Sequence, residues 1–137
     1  MQSKVIYLWF LRLLAAAILV QTLYFKFTGS PESVYIFSTL GIEPVGRIGS
    51  GIAELVAAIL LLIPRFNVYG ALLASGTMMG AILSHLTILG VEVMNDGGLL
   101  FALALIVLIC SGLLLLHYKK EVMRLPILNR IFPSPQN

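Results

Sequence analysis

Charge is scarce in this chain. Nine Lys or Arg and six Asp or Glu stand among 137 residues, while 59% are hydrophobic. A soluble domain of this size could not keep its surface wet with so few charges, which excludes an ordinary soluble fold. Cysteine is nearly absent as well. The single thiol, Cys110, cannot form an intrachain disulfide, and without a Cys-x-x-Cys pair there is no support for thiol exchange. Histidine occurs twice, as His85 and His117, so no metal-ligand cluster is expected, and a bis-histidine haem site is disfavoured because the two lie at opposite depths. No phosphate loop is present, so nucleotide hydrolysis also lacks support. The formal net charge of +3 does not suggest nucleic acid, because the basic residues follow chain ends and turns and not a folded soluble surface.

What is there is a set of long apolar runs. Crossing about 30 Å of hydrocarbon takes roughly 20 mostly apolar helical residues, each adding about 1.5 Å. Four segments meet that length, at about 5–27, 46–63, 68–90 and 97–116. They predict an all-α fold, a four-transmembrane-helix bundle in one domain over 1–137 that makes the lipid bilayer its first partner, with a basic tail at 117–137. Lys4, Arg12, Arg65, Lys119, Lys120, Arg124 and Arg130 fall on the side of the termini and the second connection; Lys26 and Arg47 fall on the other, with Glu32, Glu43, Glu92 and Asp96. The positive-inside rule then places both termini in the cytoplasm. Lys4 to Ala17 has some character of a signal peptide, but the apolar run continues past Ala15-Ala16-Ala17 and contains Arg12, which favours an uncleaved first helix.

The connections are short except the first. There Ser30 is a capping residue, Pro31 suits a first helical position, Glu32 complements the helix N-terminus and Gly41 supplies a stop. The apolar Val34, Ile36, Phe37 and Leu40 between them predict a short helix at the outer interface or tucked over the bundle mouth. Pro64-Arg65-Phe66-Asn67 reads as a tight inner turn and Asn95-Asp96-Gly97-Gly98 as part of an outer one. In the tail, basic residues alternate with Met123, Leu125, Ile127 and Leu128, a pattern that favours lying along anionic headgroups over docking a protein.

Polar residues inside the apolar runs carry the functional signal, because a charge at membrane depth is costly unless paired. Glu54 sits near the centre of the second run. Its helical face holds Arg47, Ser50, Gly51, Ala57, Ala58 and Leu61, while bulky aliphatics cover the rest, so it is expected to point into the bundle. Arg12 in the first run is long enough to reach Glu54, as a structural ion pair that fixes register or as part of a proton or ligand site, and its alternative is to snorkel to the inner surface. His85 in the third run reads as an interhelical hydrogen-bonding group or a proton-transfer or ligand contact, with Glu54, Arg47 or Lys26 as partners. Lys26 closes the first run as an interfacial anchor by default. Gln21 falls on the opposite side of the first helix from Arg12 and fits no common pocket with it. The ligand- or proton-binding candidates are therefore Arg12, Glu54, His85, Lys26 and Arg47, with no catalytic set and no metal.

Leu11-Arg12-Leu13, Phe25-Lys26-Phe27-Thr28-Gly29, Gly46-Arg47-Ile48-Gly49 before Glu54-Leu55, Pro64-Arg65, and Ser84-His85-Leu86 before Asp96-Gly97-Gly98 occur in an order that resembles the DoxX family of small bacterial membrane proteins. The resemblance covers the chain up to the basic tail. It implies a four-helix protein of the bacterial inner membrane. Some relatives are associated with quinone-linked oxidoreductases or with redox and thiol-stress complexes, which implies an accessory or membrane-anchoring subunit with a quinone as ligand and a membrane or cytoplasmic oxidoreductase as partner. The absence of paired cysteines speaks against autonomous thiol chemistry here. Two other readings stand beside it: a carrier for a small solute or coupled protons, with Glu54 as the coupling group and a homo-oligomer needed for alternating access, and a purely structural membrane partner.

Overall fold

The computed structural model describes residues 1–131; the last part of the expected basic tail, 132–137, lies outside the described residues. Helix α1 spans Gln2–Thr28 and stops where Gly29 takes up the left-handed conformation, φ 65°, and returns its N–H to the Phe25 carbonyl. Ser30 then caps α2, Pro31–Thr39, by accepting from the Ser33 N–H at 3.3 Å, with Pro31 at the first helical position and Glu32 in the first turn. Helix α3 spans Val45–Leu62. A 3-10 turn at Pro64–Phe66 leads into α4, Asn67–Ser84, which continues as a π-helical turn over His85–Leu89. Helix α5 spans Leu99–His117, followed by two short helices, α6 at Lys119–Met123 and α7 at Pro126–Ile131.

Four of these segments are long and apolar enough to cross a membrane. They form an antiparallel ring in which α1 touches α3, α3 touches α4, α4 touches α5 and α5 returns to α1. One end of the ring holds the N-terminus, the 3-10 turn and α6. The other end holds α2 and the 90–98 segment. Outward faces carry Phe10, Val20, Tyr24, Ile52, Ile59, Leu83 and Ile109, all exposed, which is what hydrocarbon rather than water requires of a surface.

The two ends are filled differently. Near the 3-10 turn the core is made of small and branched residues with almost no exposure: Ala15, Ala57, Leu61, Ala71, Ala74, Val107 and Leu114. Small side chains let backbones approach closely. At Gly70 the approach is so close that a Cβ would lie 2.6 Å from the Leu61 nitrogen and 3.0 Å from the Ala57 carbonyl oxygen. Farther along α4, a Cβ on Gly76 or Gly80 would meet no heavy atom within 4 Å. Helices α3 and α4 are thus in backbone contact at the turn, whereas at the α2 end Gly46 and Ser50 of α3 and Gly80 and Ala81 of α4 stand on different walls of an open space. On the opposite side of α4, Ser75 donates to the Ser111 hydroxyl at 2.8 Å, and Ser111 donates to the Val107 carbonyl at 2.8 Å, tying α4 to α5 in the dense half.

A cavity beneath the short helix as candidate functional site

The open space at the α2 end is a cavity of about 430 Å³. Helix α2 roofs it with Ser33, Ile36 and Phe37, and α1, α3, α4 and α5 supply the walls. The sequence expectation of a helix tucked over the bundle mouth is therefore met, with Phe37 and Ser33 buried on its inward side. Most of the lining is apolar. Hydroxyls come from every lining helix but α5, while the ionisable side chains below the roof are Lys26 on α1, Glu54 on α3 and His85 at the start of the π turn.

Glu54 is 3% exposed and faces inward, as its small-residue face predicts. Its partner is not the expected one. Lys26 donates to Glu54 Oε1 in an ion pair, and the Thr22 hydroxyl shares its one proton between Oε2 at 3.0 Å and the Leu19 carbonyl at 2.8 Å. Thr22 and Lys26 are four residues apart on α1 and share a face, so a single helical turn presents both donors to one carboxylate. A buried carboxylate with both oxygens occupied is one that can stay in a low-dielectric site. Lys26 also lies 5.9 Å from the Phe37 ring centroid, which links the pair to the roof. An ammonium has three protons to donate, so bonding Glu54 leaves donors over for a cavity occupant.

Arg12 does not reach Glu54. It is 3% exposed and lies in the dense half, where its Nε donates to the Leu61 carbonyl at 2.5 Å and its guanidinium stacks on Trp9, 4.0 Å from the ring centroid. The antiparallel arrangement explains the correction: an early position on α1 meets the C-terminal end of α3, whereas Glu54 sits halfway back toward the other end. Leu61 belongs to the last turn of α3, whose carbonyls lack helical partners, and a cation there is favoured by the helix dipole. Among the described residues Arg12 meets no carboxylate, and its Nη2 is buried without a partner. It closes a helix end and does not border the cavity.

Arg47 plays a similar part at the α2 end. Its Nε donates to Glu43 Oε1 at 2.8 Å, and its Nη1 donates to the Lys26 carbonyl among the free carbonyls that end α1. Arg47 therefore holds the backbone of the residue whose side chain engages Glu54. Gly29 lies under the same guanidinium, where a Cβ would sit 3.6 Å from Nη1.

His85 is buried and borders the cavity, but it bonds none of Glu54, Arg47 or Lys26. Its Nδ1 lies 2.8 Å from the Gly90 carbonyl and its ring meets Phe101 edge-on at 5.6 Å. A carbonyl only accepts, so Nδ1 carries the proton, and in the Nδ1–H tautomer Nε2 offers a lone pair. This tautomer is held by the π turn, which brings Gly90 back over His85; such turns recur at functional sites. The segment that follows is fixed by Asp96, whose carboxylate accepts from the backbone N–H groups of Val93 at 3.0 Å, Gly98 at 2.8 Å and Leu100 at 3.1 Å. Partial burial pushes the Asp96 carboxyl up, but the three N–H groups, with the nearby His85, more than offset it and hold it below the usual carboxylate range.

Of the five candidates, the structure brings Lys26, Glu54 and His85 to one cavity, places Arg47 behind it and sets Arg12 apart. Gln21, which had no assignment, lines the cavity wall toward α5 with Phe25. Thr22 was missed in sequence reasoning, although its position one turn before Lys26 was the available signal. The π turn left no such signal.

These features define a multi-pass membrane protein built as a four-helix ring with a roofed intramembrane cavity at one end. The profile of the DoxX-like family matches residues 10–112, which includes all four long helices in whole or in large part, and the chain belongs to that family. Comparison with curated proteins and with solved structures found no match.

Proposed function

We propose that the protein is an accessory membrane subunit of a redox system, and that the cavity holds a quinone-like, lipid-soluble ligand. The observation that carries this reading is the composition of the cavity: mostly apolar walls, one buried ion pair with donor capacity left on Lys26, and one oriented acceptor at His85 Nε2. Ligand sites are commonly apolar hollows of about 300–1,000 Å³ with a few polar groups that fix orientation. The reduced, quinol form fits such a set at both ends, one hydroxyl oxygen accepting from Lys26 and the other O–H donating to His85 Nε2, while the oxidised form is held through a carbonyl at Lys26. The bound group supplies the redox chemistry; the chain's own residues bind and orient the head and exclude water, and the electron partner is a separate oxidoreductase. A solute carrier needs a second route to the other face of the membrane, and the dense half between Ala15, Leu61 and Val107 argues against one.

The reading is tested by purifying the protein from its own membrane without detergent and identifying what co-extracts. A stoichiometric quinone in the wild type, lost in the Lys26→Met, Glu54→Gln double variant, is expected. A water-soluble solute, or quinone retained in the double variant, would overturn it. The proposed orientation, with both termini cytoplasmic in the inner membrane, has its own check: thiols introduced at Glu43 or Asp96 react with an impermeant reagent in intact cells, and reaction at Arg65 or Lys120 instead would reverse it.

A further inference from the structure

The geometry of the α3–α4 seam points to a second property of the same site. We propose that the cavity opens sideways into the bilayer between the outer halves of α3 and α4, so that its ligand is a tailed amphiphile that arrives from the lipid, with its polar head drawn in to Lys26 and its apolar tail left in hydrocarbon. The proposal rests on the ligand-binding reading above for the identity of the head, but the opening itself does not depend on it.

Three observations carry it. First, α4 touches the α3 backbone at Gly70, where a Cβ would lie 2.6 Å from the Leu61 nitrogen, but farther along Gly80 both lines the cavity and is exposed at the surface, and a Cβ there would meet nothing within 4 Å. Second, the edges of the opening are poor in free polar groups. The Ser50 hydroxyl donates to the Arg47 carbonyl at 3.2 Å, Thr77 to Leu73 and Ala74 at 3.0 Å, and Ser84 to Gly80 at 2.8 Å, each within its own helix. Hydroxyls bonded back to their own helix present methylene and methyl surface, which an apolar chain can pass. Third, the other routes carry bulkier side chains. The roof sets Phe37 over Lys26, and the α1–α5 wall, where Phe25 and Leu99 are themselves exposed, is faced by these two and Leu103, whereas Gly80 has no side chain at all. Inside, His85 is nine-tenths buried and its Nε2 has no hydrogen-bond partner among the described residues, so the opening leads to an acceptor that a ligand head can satisfy.

A nitroxide at Ser50→Cys, in a Cys110→Ala background in phosphatidylcholine vesicles, reads the opening directly. Oxygen, which concentrates in hydrocarbon, should relax the label strongly, and a water-soluble nickel chelate should not. Adding Gly80→Phe, for which there is open space, should abolish the oxygen effect, while Gln21→Phe on the other wall should leave it. Relaxation by nickel in place of oxygen, or an oxygen effect indifferent to Gly80→Phe, overturns the lateral opening. A benzoquinone with a decyl tail should then shield the label from oxygen in the wild type. An oxygen-accessible label that the quinone does not shield sinks the quinone reading and leaves the opening standing, and nickel access with quinone shielding does the reverse.

Discussion

Arg12 and Lys26 lie on the same helix, roughly four turns apart, and the bundle treats them in opposite ways. Arg12 is buried and meets no carboxylate among the described residues; a helix-terminal carbonyl and the Trp9 face hold its charge. Lys26 stands at the wall of a cavity and is neutralised by Glu54. The difference follows from what surrounds each cation. In the dense half, α3 ends beside Arg12 and offers spare carbonyls, and the close contact at Gly70 leaves no room for anything else. In the hollow half, α3 passes Lys26 in mid-helix, where backbone carbonyls are already used, so only a side chain can supply the counter-charge. A cation that is locked serves the fold. One that keeps donors to spare beside empty volume can serve a ligand.

The sharpest break of this comparison is a double-mutant cycle on the hollow half. Glu54→Gln alone strands the Lys26 charge and Lys26→Met alone strands the carboxylate, and each should cost on the order of 3–5 kcal/mol in detergent unfolding. The Lys26→Met, Glu54→Gln double variant should recover much of that loss. Equal and additive losses would show that the pair is not coupled.

The next test moves along α4. Gly70→Ala drives a methyl into the backbone of Leu60 and Leu61, which cannot turn aside, and should cost about 1–3 kcal/mol. Gly80→Ala meets nothing and should be neutral or gain up to about 1 kcal/mol from helix propensity. If both glycines respond alike, the two halves are not filled differently.

The comparison also explains what could be read from the sequence. The four helices, the inward face of Glu54 and the cap at Ser30 were legible because length, spacing and local capping chemistry fix them. The partner of Glu54 was not. Choosing between Arg12 and Lys26 requires knowing how far α1 and α3 slide against each other, and that offset is set by the Gly29 stop, the length of α2 and Arg47's grip on the end of α1. Each is visible alone, but their sum is a tertiary quantity. The bond between His85 and Gly90 depends on a π turn, for which no sequence period stands out. Gln21 faces away from Arg12 on α1, and with the site built around Lys26 it falls on the wall.

A smaller effect is expected from Arg12. Arg12→Met leaves the Leu61 carbonyl without its donor but also removes an unsatisfied Nη2, so the net cost should be about 1–2 kcal/mol. The informative result is the cycle with Glu54→Gln. Because the two side chains share no partner, their effects should add within about 0.5 kcal/mol, and a larger coupling would restore the ion pair that the structure does not contain.

The smallest effect belongs to the segment that holds the hollow half in shape, and its sign is fixed by Asp96. The carboxylate accepts three backbone N–H bonds that its protonated form would largely lose, and the folded-state pKa is accordingly depressed below the usual 3.8. A group of this kind contributes stability that is fully present above the unfolded-chain pKa and is lost as pH falls through the lower folded value. The absolute acid sensitivity of the protein sums over every group in the chain and is not the measure. The difference between wild type and Asp96→Asn is. That difference in unfolding free energy should be about 1 kcal/mol near neutral pH, the scale of a lost helix cap, and should shrink toward zero under acid conditions as the wild-type carboxyl protonates. A difference that grows as pH falls would mean that the charge at Asp96 opposes the fold, and the π turn and His85 would then owe their placement to something other than this clamp.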